Sequence, residues 1–419
     1  MATPATELDI PDLTWLDDPG ISVDARRDAH AAAADQSWIA RNVFGFSILH
    51  YDDVVAMLRD KRWHSASGKI IEMSGVDDPE WLERSRRRPS ILSAEGDEHT
   101  RLRRVAGPAF SPRHADALRS FMRDVVNGLV DRFAATGHAD IATEFCEPYP
   151  IPIICELFGA PQEDLQLFSD WATDIFRIFN GNLAEDKERI ITAQNELDAY
   201  VGDLIERRRS TPSDDLVSAM IEAESDGDRL SHSELVMMCE AVLMAGTDTT
   251  RNQLGCSISL FAQHPDQWHL LAKQPELAPR AVEETMRFMG AVRGTARFAS
   301  EDIEYRDVFF PKGSFIAPSL AQANRDASVF EEPAVFDITR EPSNRPQLTF
   351  GSGIHYCLGA ALARAEQQEA LTILSKRLPD IELDGEIAWK PATVGIFGPE
   401  HLPIRFTPTD RPERAVSDP

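Results

Sequence analysis

Cys357 closes the loop Phe350-Gly351-Ser352-Gly353-Ile354-His355-Tyr356-Cys357-Leu358-Gly359, which runs into an alanine-rich stretch with helical spacing. A thiol at a helix entrance is chemically suggestive. Unpaired N–H groups and the partial positive charge of a helix N-terminus stabilise an anion, so the thiol is expected to ionise more readily there. Glycines allow turns that other residues resist and leave room for a flat ligand. Three uses fit these residues: a buried structural cysteine beside a tight turn, a nucleophile with His355 as base, and a thiolate ligand to a metal-bearing group. The other four cysteines, Cys146, Cys155, Cys239 and Cys256, lie among apolar neighbours at spacings that suggest neither a disulfide framework nor a zinc site.

Three further constellations carry polar chemistry. Ala245-Gly246-Thr247-Asp248-Thr249-Thr250 interrupts a long apolar segment that begins with a Ser231/Glu234 capping box and closes at His264-Pro265. That segment predicts a helix of roughly thirty residues, about 45–50 Å long. The Thr249 hydroxyl is expected to bond back to the Ala245 carbonyl and, beside a glycine, to bend or open the helix. Glu284 and Arg287 are three apart on one helix, a spacing that by itself gives only a surface pair worth a few tenths of a kcal/mol. His99 and Arg103 are four apart and share a helix face, which by itself could be a solvated basic surface.

Taken together, the cysteine loop, the Ala245–Thr250 segment, Glu284-x-x-Arg287 with the downstream Arg340, and Glu98-His99-Thr100-Arg101-Leu102-Arg103-Arg104 resemble the cytochromes P-450, from about Asp52 to the end of the chain. The sequence departs from the usual family spelling at Glu95-Gly96-Asp97, Gly290-Ala291-Val292 and Gln347-Leu348. The resemblance implies haem b with Cys357 as the axial thiolate, Gly359 in the haem-binding loop, and His99, Arg103, Arg297 and His355 on the propionates. It implies that Thr249 hydrogen-bonds iron-bound oxygen and that Asp248 feeds protons. Glu284, Arg287 and Arg340 would form a structural support. The activity implied is monooxygenation with O2 as co-substrate. Electrons would come from NAD(P)H through an external ferredoxin and ferredoxin reductase, docked on a basic patch around Arg101, Arg104 and Arg113. The family's pocket walls would here include Ile71, Phe176, Phe179, Ala245, Val292, Arg293 and Phe397, which suit an apolar terpenoid, steroid or fatty-acid-like molecule, with Arg293 a contact for a substrate carboxylate or a propionate. Two other readings stay open: a same-fold haem enzyme doing oxidative coupling or peroxide-driven hydroxylation, and a non-enzymatic haem-binding sensor.

These side chains need a large scaffold to place them. The chain has 419 residues, enough to bury a sizeable core. Its patterns predict a mainly α protein with a minor β-sheet region, as one large domain over 21–407, with loose tails at 1–20 and 408–419. Val43 to Asp60 reads as a strand and then a helix capped by Asp52, Asp302 to Pro318 as two strands around a turn at Pro311 to Gly313, and Val394 to Phe406 as a short hairpin. A net charge of −26 disfavours general binding to nucleic acid or anionic membrane. No signal peptide or membrane-spanning apolar run is evident, and a cytoplasmic monomer is expected.

Overall fold

The computed structural model describes residues 2–69, 72, 78–87, 90–179, 183–223, 230–391 and 396–409. The expectations for Ile71 and for residues 410–419 lie outside them. Helices carry the larger part of the chain, and the described strands form four small sheets. The main apolar core gathers side chains from helices Arg119–Val130, Pro150–Phe158, Leu165–Phe176, Leu183–Ser210, His232–Gln263 and Ala360–Arg377.

The central helix, His232–Gln263, is 32 residues long and starts at the expected capping box: Ser231 Oγ accepts from the Glu234 N–H, and the Glu234 carboxylate accepts from the Ser231 N–H at 2.7 Å. Thr249 Oγ1 donates to the Ala245 carbonyl at 2.6 Å, and Thr247 Oγ1 donates to the Leu243 carbonyl at 2.8 Å. The expected opening is absent, because these bonds add to the backbone ladder without replacing it and the helix runs unbroken through residues 245–250. Gly246 serves close packing: a Cβ there would lie 2.5 Å from Ile154 Cδ1 on helix Pro150–Phe158.

The five-stranded sheet runs in the order Ile39–Asn42, Gly45–Ile48, Phe315–Pro318, Arg297–Ala299, Trp63–Ser65. Arg297 lies inside it, paired with Ser65 on one side and Ile316 on the other. The segment 302–318 holds one strand more than expected. Ile303–Tyr305 and Val308–Phe310 form a hairpin around Arg306 and Asp307, both at positive φ (49° and 60°), the backbone that a tight two-residue turn requires.

Three local expectations are corrected. The first twenty residues are not loose: Thr3–Pro4 adds a parallel strand to Val308–Phe309, and Ala5, Leu13 and Leu16 are buried. Asp52 does not cap the helix Tyr51–Arg59. It pairs with Arg345, while the Tyr51 N–H donates to Asp326 Oδ2 at 2.9 Å, so the cap comes from a residue distant in sequence. Pro399–His401 and Pro403–Arg405 do not form a hairpin. The first pairs with Ala388–Trp389, and the second joins Glu382–Leu383 and His138–Asp140 in another sheet.

The helix Ala278–Phe288 buries the Glu284–Arg287 pair, each side chain only 2% exposed. The guanidinium engages both carboxylate oxygens at 2.8 Å, Arg340 Nε adds a bond to Oε2 at 3.1 Å, and the Asp337 N–H donates to Oε1 at 3.0 Å. Arg287 also donates to the carbonyls of Asn324, Pro333 and Val335. Removing one partner would strand a buried charge. Glu284→Ala should therefore cost roughly 3–5 kcal/mol of unfolding free energy in urea titration; a loss under about 1 kcal/mol would mean that the pair behaves like a surface bridge.

Candidate active site

The cysteine loop is held from three sides. Within it, the Cys357 N–H donates to the Phe350 carbonyl at 3.0 Å and the Gly351 N–H to the Leu348 carbonyl at 2.7 Å. Gly351 and Gly353 both have φ near +70°, and a Cβ on Gly353 would lie 2.1 Å from the Leu58 carbonyl oxygen, so the loop seats directly on helix Tyr51–Arg59. Arg59 Nε donates to Ser352 Oγ at 3.1 Å. From helix Ala278–Phe288, the Met286 carbonyl accepts from Thr349 Oγ1 at 2.9 Å, and Glu283 binds Arg364 (Nε–Oε1 2.5 Å) and Gln347 (3.1 Å). Asn324 completes the support, its Oδ1 accepting from the Leu348 N–H at 2.6 Å. Sequence reasoning missed Glu283, Arg364 and Asn324.

Cys357 precedes its helix, which begins at Ala360 with Gly359 as the N-cap. Burial raises the thiol pKa above its usual value, opposed by the Gly359 N–H and by the charges of Arg103 and Arg364. The expected ionisation by the helix terminus is thus outweighed by desolvation. A metal that replaces the proton would supply the missing stabilisation of the thiolate.

Around the cysteine stands a cluster of donors. The His99 and His355 rings lie 4.4 Å apart. His99 is buried, its Nε2 lacks any hydrogen-bond partner, and burial together with the charges of His355 and Arg103 pushes its pKa down to about 4. Arg297 is buried and donates to Thr295 Oγ1 and the Ala296 carbonyl, both at 2.8 Å. Among the described residues, neither Arg103 nor Arg297 makes an ion pair. Burial lowers the pKa of both, that of Arg297 to about 10. Buried cations without counter-charges are costly unless an anion joins them. His355 alone meets an acid, Glu95 Oε1 at 3.1 Å, and that oxygen also accepts from the Ser65 N–H at 2.6 Å. A soft sulfur ligand beside uncompensated cationic donors fits a metalloporphyrin with two carboxylates.

Ala245 and Thr249 are the accessible positions of a segment in which Thr247, Asp248 and Thr250 are buried. Asp248 Oδ1 accepts from Arg251 Nε at 2.6 Å, and Lys390 Nζ lies 3.6 Å away; Asp248 Oδ2 is buried without a partner. The sequence gave no signal for Lys390. Of the expected pocket residues, Phe176 is buried at a helix end and Phe179 sits in the turn Arg177–Phe179. Val292 packs on the smaller core. Phe397 is only 2% exposed, stacked on Trp389 at 4.9 Å with the Arg293 guanidinium 4.6 Å from its ring centroid, so it acts as packing behind a wall. Arg101 of the expected basic patch is tied to Glu234 of the central helix, which neutralises its charge.

The Cytochrome P450 family model matches residues 42–272 and 267–377, and the chain belongs to the cytochrome P450 family. It is 37% identical over 413 residues to luteothin monooxygenase of Streptomyces thioluteus, covering 97% of this chain and 99% of that protein. It is also 37% identical over 363 residues to mycinamicin IV hydroxylase/epoxidase of Micromonospora griseorubida, covering 85% and 88%. Among solved structures, CalO2 superposes with a TM-score of 0.84 at 30% identity over 92% of this chain and 98% of that one. The chain is thus a haem-thiolate monooxygenase acting on small molecules, with the fold expected from its sequence. Among the described residues, no helix is long and apolar enough to cross a membrane.

Glu366, on the helix that follows the cysteine loop, was also missed. It is buried against the central helix, accepts from Thr250 Oγ1 at 3.3 Å, and leaves Oε1 unpartnered. Burial raises its pKa from 4.5 to about 8. Its folded form therefore favours the proton. The stability it contributes is complete below pH 4.5 and is lost as the pH rises towards 8. Glu366→Gln should flatten the fall of the denaturation midpoint across that range; an unchanged slope would show that Glu366 is ionised in the folded protein.

Proposed function

We propose that Cys357 ligates the haem iron, that His99, Arg103, Arg297 and His355 hold the two propionates, and that oxygen is inserted into a bulky, largely apolar small molecule of terpenoid, steroid, fatty-acid or polyketide kind. The observation that carries the site assignment is the convergence on one cysteine of buried cationic donors that lack counter-charges. The substrate class draws on the apolar character of the expected pocket walls. It draws too on relatives named for acting on mycinamicin IV, 6-deoxyerythronolide B and vitamin D(3).

Haem held in this way supplies the activation of dioxygen, with electrons from outside the chain. The chain's own residues place, shield and deliver. The Thr249 hydroxyl hydrogen is committed to the Ala245 carbonyl, so its oxygen is left to accept. That suits it to hold a proton-bearing water in place on the accessible face of the helix. Asp248, anchored by Arg251 and Lys390, is the acid that replenishes that proton. This acid–hydroxyl pair favours dioxygen over peroxide as the oxygen source. Electrons come from NAD(P)H by way of a ferredoxin reductase and a ferredoxin. With Arg101 neutralised by Glu234, the docking surface rests more on Arg104 and Arg113.

Cys357→His should abolish both oxygenation and the red-shifted carbon-monoxide band of the reduced protein; retention of both would refute the ligand assignment. Thr249→Ala should send most of the electrons to hydrogen peroxide while Thr249→Ser keeps product formation. Equal coupling in the alanine variant, measured as product formed per NAD(P)H consumed, would remove Thr249 from proton handling. Titration with candidate substrates, read as the low- to high-spin shift of the haem band, tests the substrate class: binding only by small polar molecules would overturn it.

A further inference from the structure

On the side of the central helix where Asp248 meets its cations lies a cleft of about 210 Å³, lined by Cys146, Glu147, Arg251, Asn252, Lys390 and Glu400, among others. Its walls are the Ala142–Cys146 turn, the central helix and the ribbon of Ala388–Trp389 with Pro399–His401. The space is large enough for several waters, and its lining is polar enough to keep them. Glu147 and Glu400 are exposed, so solvent reaches the cleft. Arg251 and Lys390 are each 21% exposed, and Asp248 behind them is 2% exposed. Arg251 Nη1 lies 3.6 Å from Glu147 Oε1 and Arg251 Nε 2.6 Å from Asp248 Oδ1, so one guanidinium spans mouth and acid. Asn252 fixes the inner end by donating to the Asp248 carbonyl at 2.7 Å. A buried carboxylate oxygen without a partner, Asp248 Oδ2, remains. A purely structural ion pair would use both oxygens.

We propose that this cleft is the inlet through which solvent protons reach Asp248, with Arg251 and Lys390 as positioning residues that hold the acid at its inner end. The inference rests on the reading of Asp248 as the proton-delivering acid. A cleft water gives its proton to Asp248, Asp248 passes a proton to water on the Thr249 side, and the carboxylate is restored. Burial holds the Lys390 ammonium below its ordinary pKa, which lets it take part in that exchange more readily than a surface lysine would.

The test uses the reconstituted holoenzyme with a turned-over substrate and reads the share of electrons lost to peroxide and the solvent deuterium isotope effect. Asp248→Asn should raise both several-fold. Lys390→Met should do the same and Lys390→Arg should restore the parent values. Glu400→Cys labelled with a bulky maleimide should mimic Lys390→Met by plugging the mouth, whereas the same label at Glu304→Cys, in a separate sheet, should change nothing. The plug does not depend on the folding of the Lys390 variants. A crystal structure of the parent should show ordered water running along the cleft to the Asp248 carboxylate, and the plugged variant should lack it. If Asp248→Asn uncouples turnover while the plug and Lys390→Met leave it intact, or if the cleft is dry, the inlet is refuted and the role of Asp248 stands. If Asp248→Asn itself changes nothing, the acid assignment fails and takes the inlet with it.

Discussion

The Glu284 carboxylate is the fixed point of the molecule. It binds Arg287 through both oxygens, adds Arg340 and the Asp337 N–H, and so uses its acceptor capacity in full. Complete use is what makes the burial of such charges tolerable, because desolvation costs several kcal/mol per ion unless every partner is in place. The geometry then propagates. Arg287 holds the Asn324 carbonyl, and the Asn324 side chain holds Leu348 and Thr349 at the start of the cysteine loop. The neighbouring Glu283 reaches the helix beyond the loop through Arg364. The position of one sulfur is thereby set by a run of hydrogen bonds that begins with a pair of adjacent glutamates.

Charge is distributed unevenly with respect to this frame. The chain as a whole is strongly acidic, yet the donors nearest the cysteine are cations or imidazoles, and Arg103 and Arg297 have no acidic partner among the described residues. Asp248 on the central helix is treated oppositely, with two cations against one of its oxygens. One region therefore favours the arrival of anionic groups, and the other stabilises an acid in its charged form. The two demands are met on different elements, so neither set of charges cancels the other.

How far the sequence disclosed all this depended on separation along the chain. The Ser231/Glu234 capping box, the Thr249 bond to Ala245 and the Glu284–Arg287 pair are local, and spacing on a helix is enough to foresee them. The family motif located Cys357, His355 and Arg297, though not the geometry around them. Contacts such as Lys390 with Asp248, Glu95 with His355 and Asp326 with the Tyr51 N–H join residues far apart in sequence, and no periodicity encodes them. Where local rules misled, a distant partner had prevailed. Asp52 has the composition of a cap but is taken by Arg345, and Gly246 looks like a helix breaker but makes room for Ile154. The thiol pKa was misjudged for a related reason: proximity to a helix start is visible in the sequence, whereas burial is not.

The strand at Thr3–Pro4 has an implication for biogenesis. Its partner is Val308–Phe309, some three hundred residues later, so this pairing carries about as large a loop-closure separation as the chain permits. During synthesis the opening segment has nothing to pair with until nearly three-quarters of the polypeptide has left the ribosome, and Ala5 stays uncovered meanwhile. Closure of that edge therefore belongs among the last events of folding.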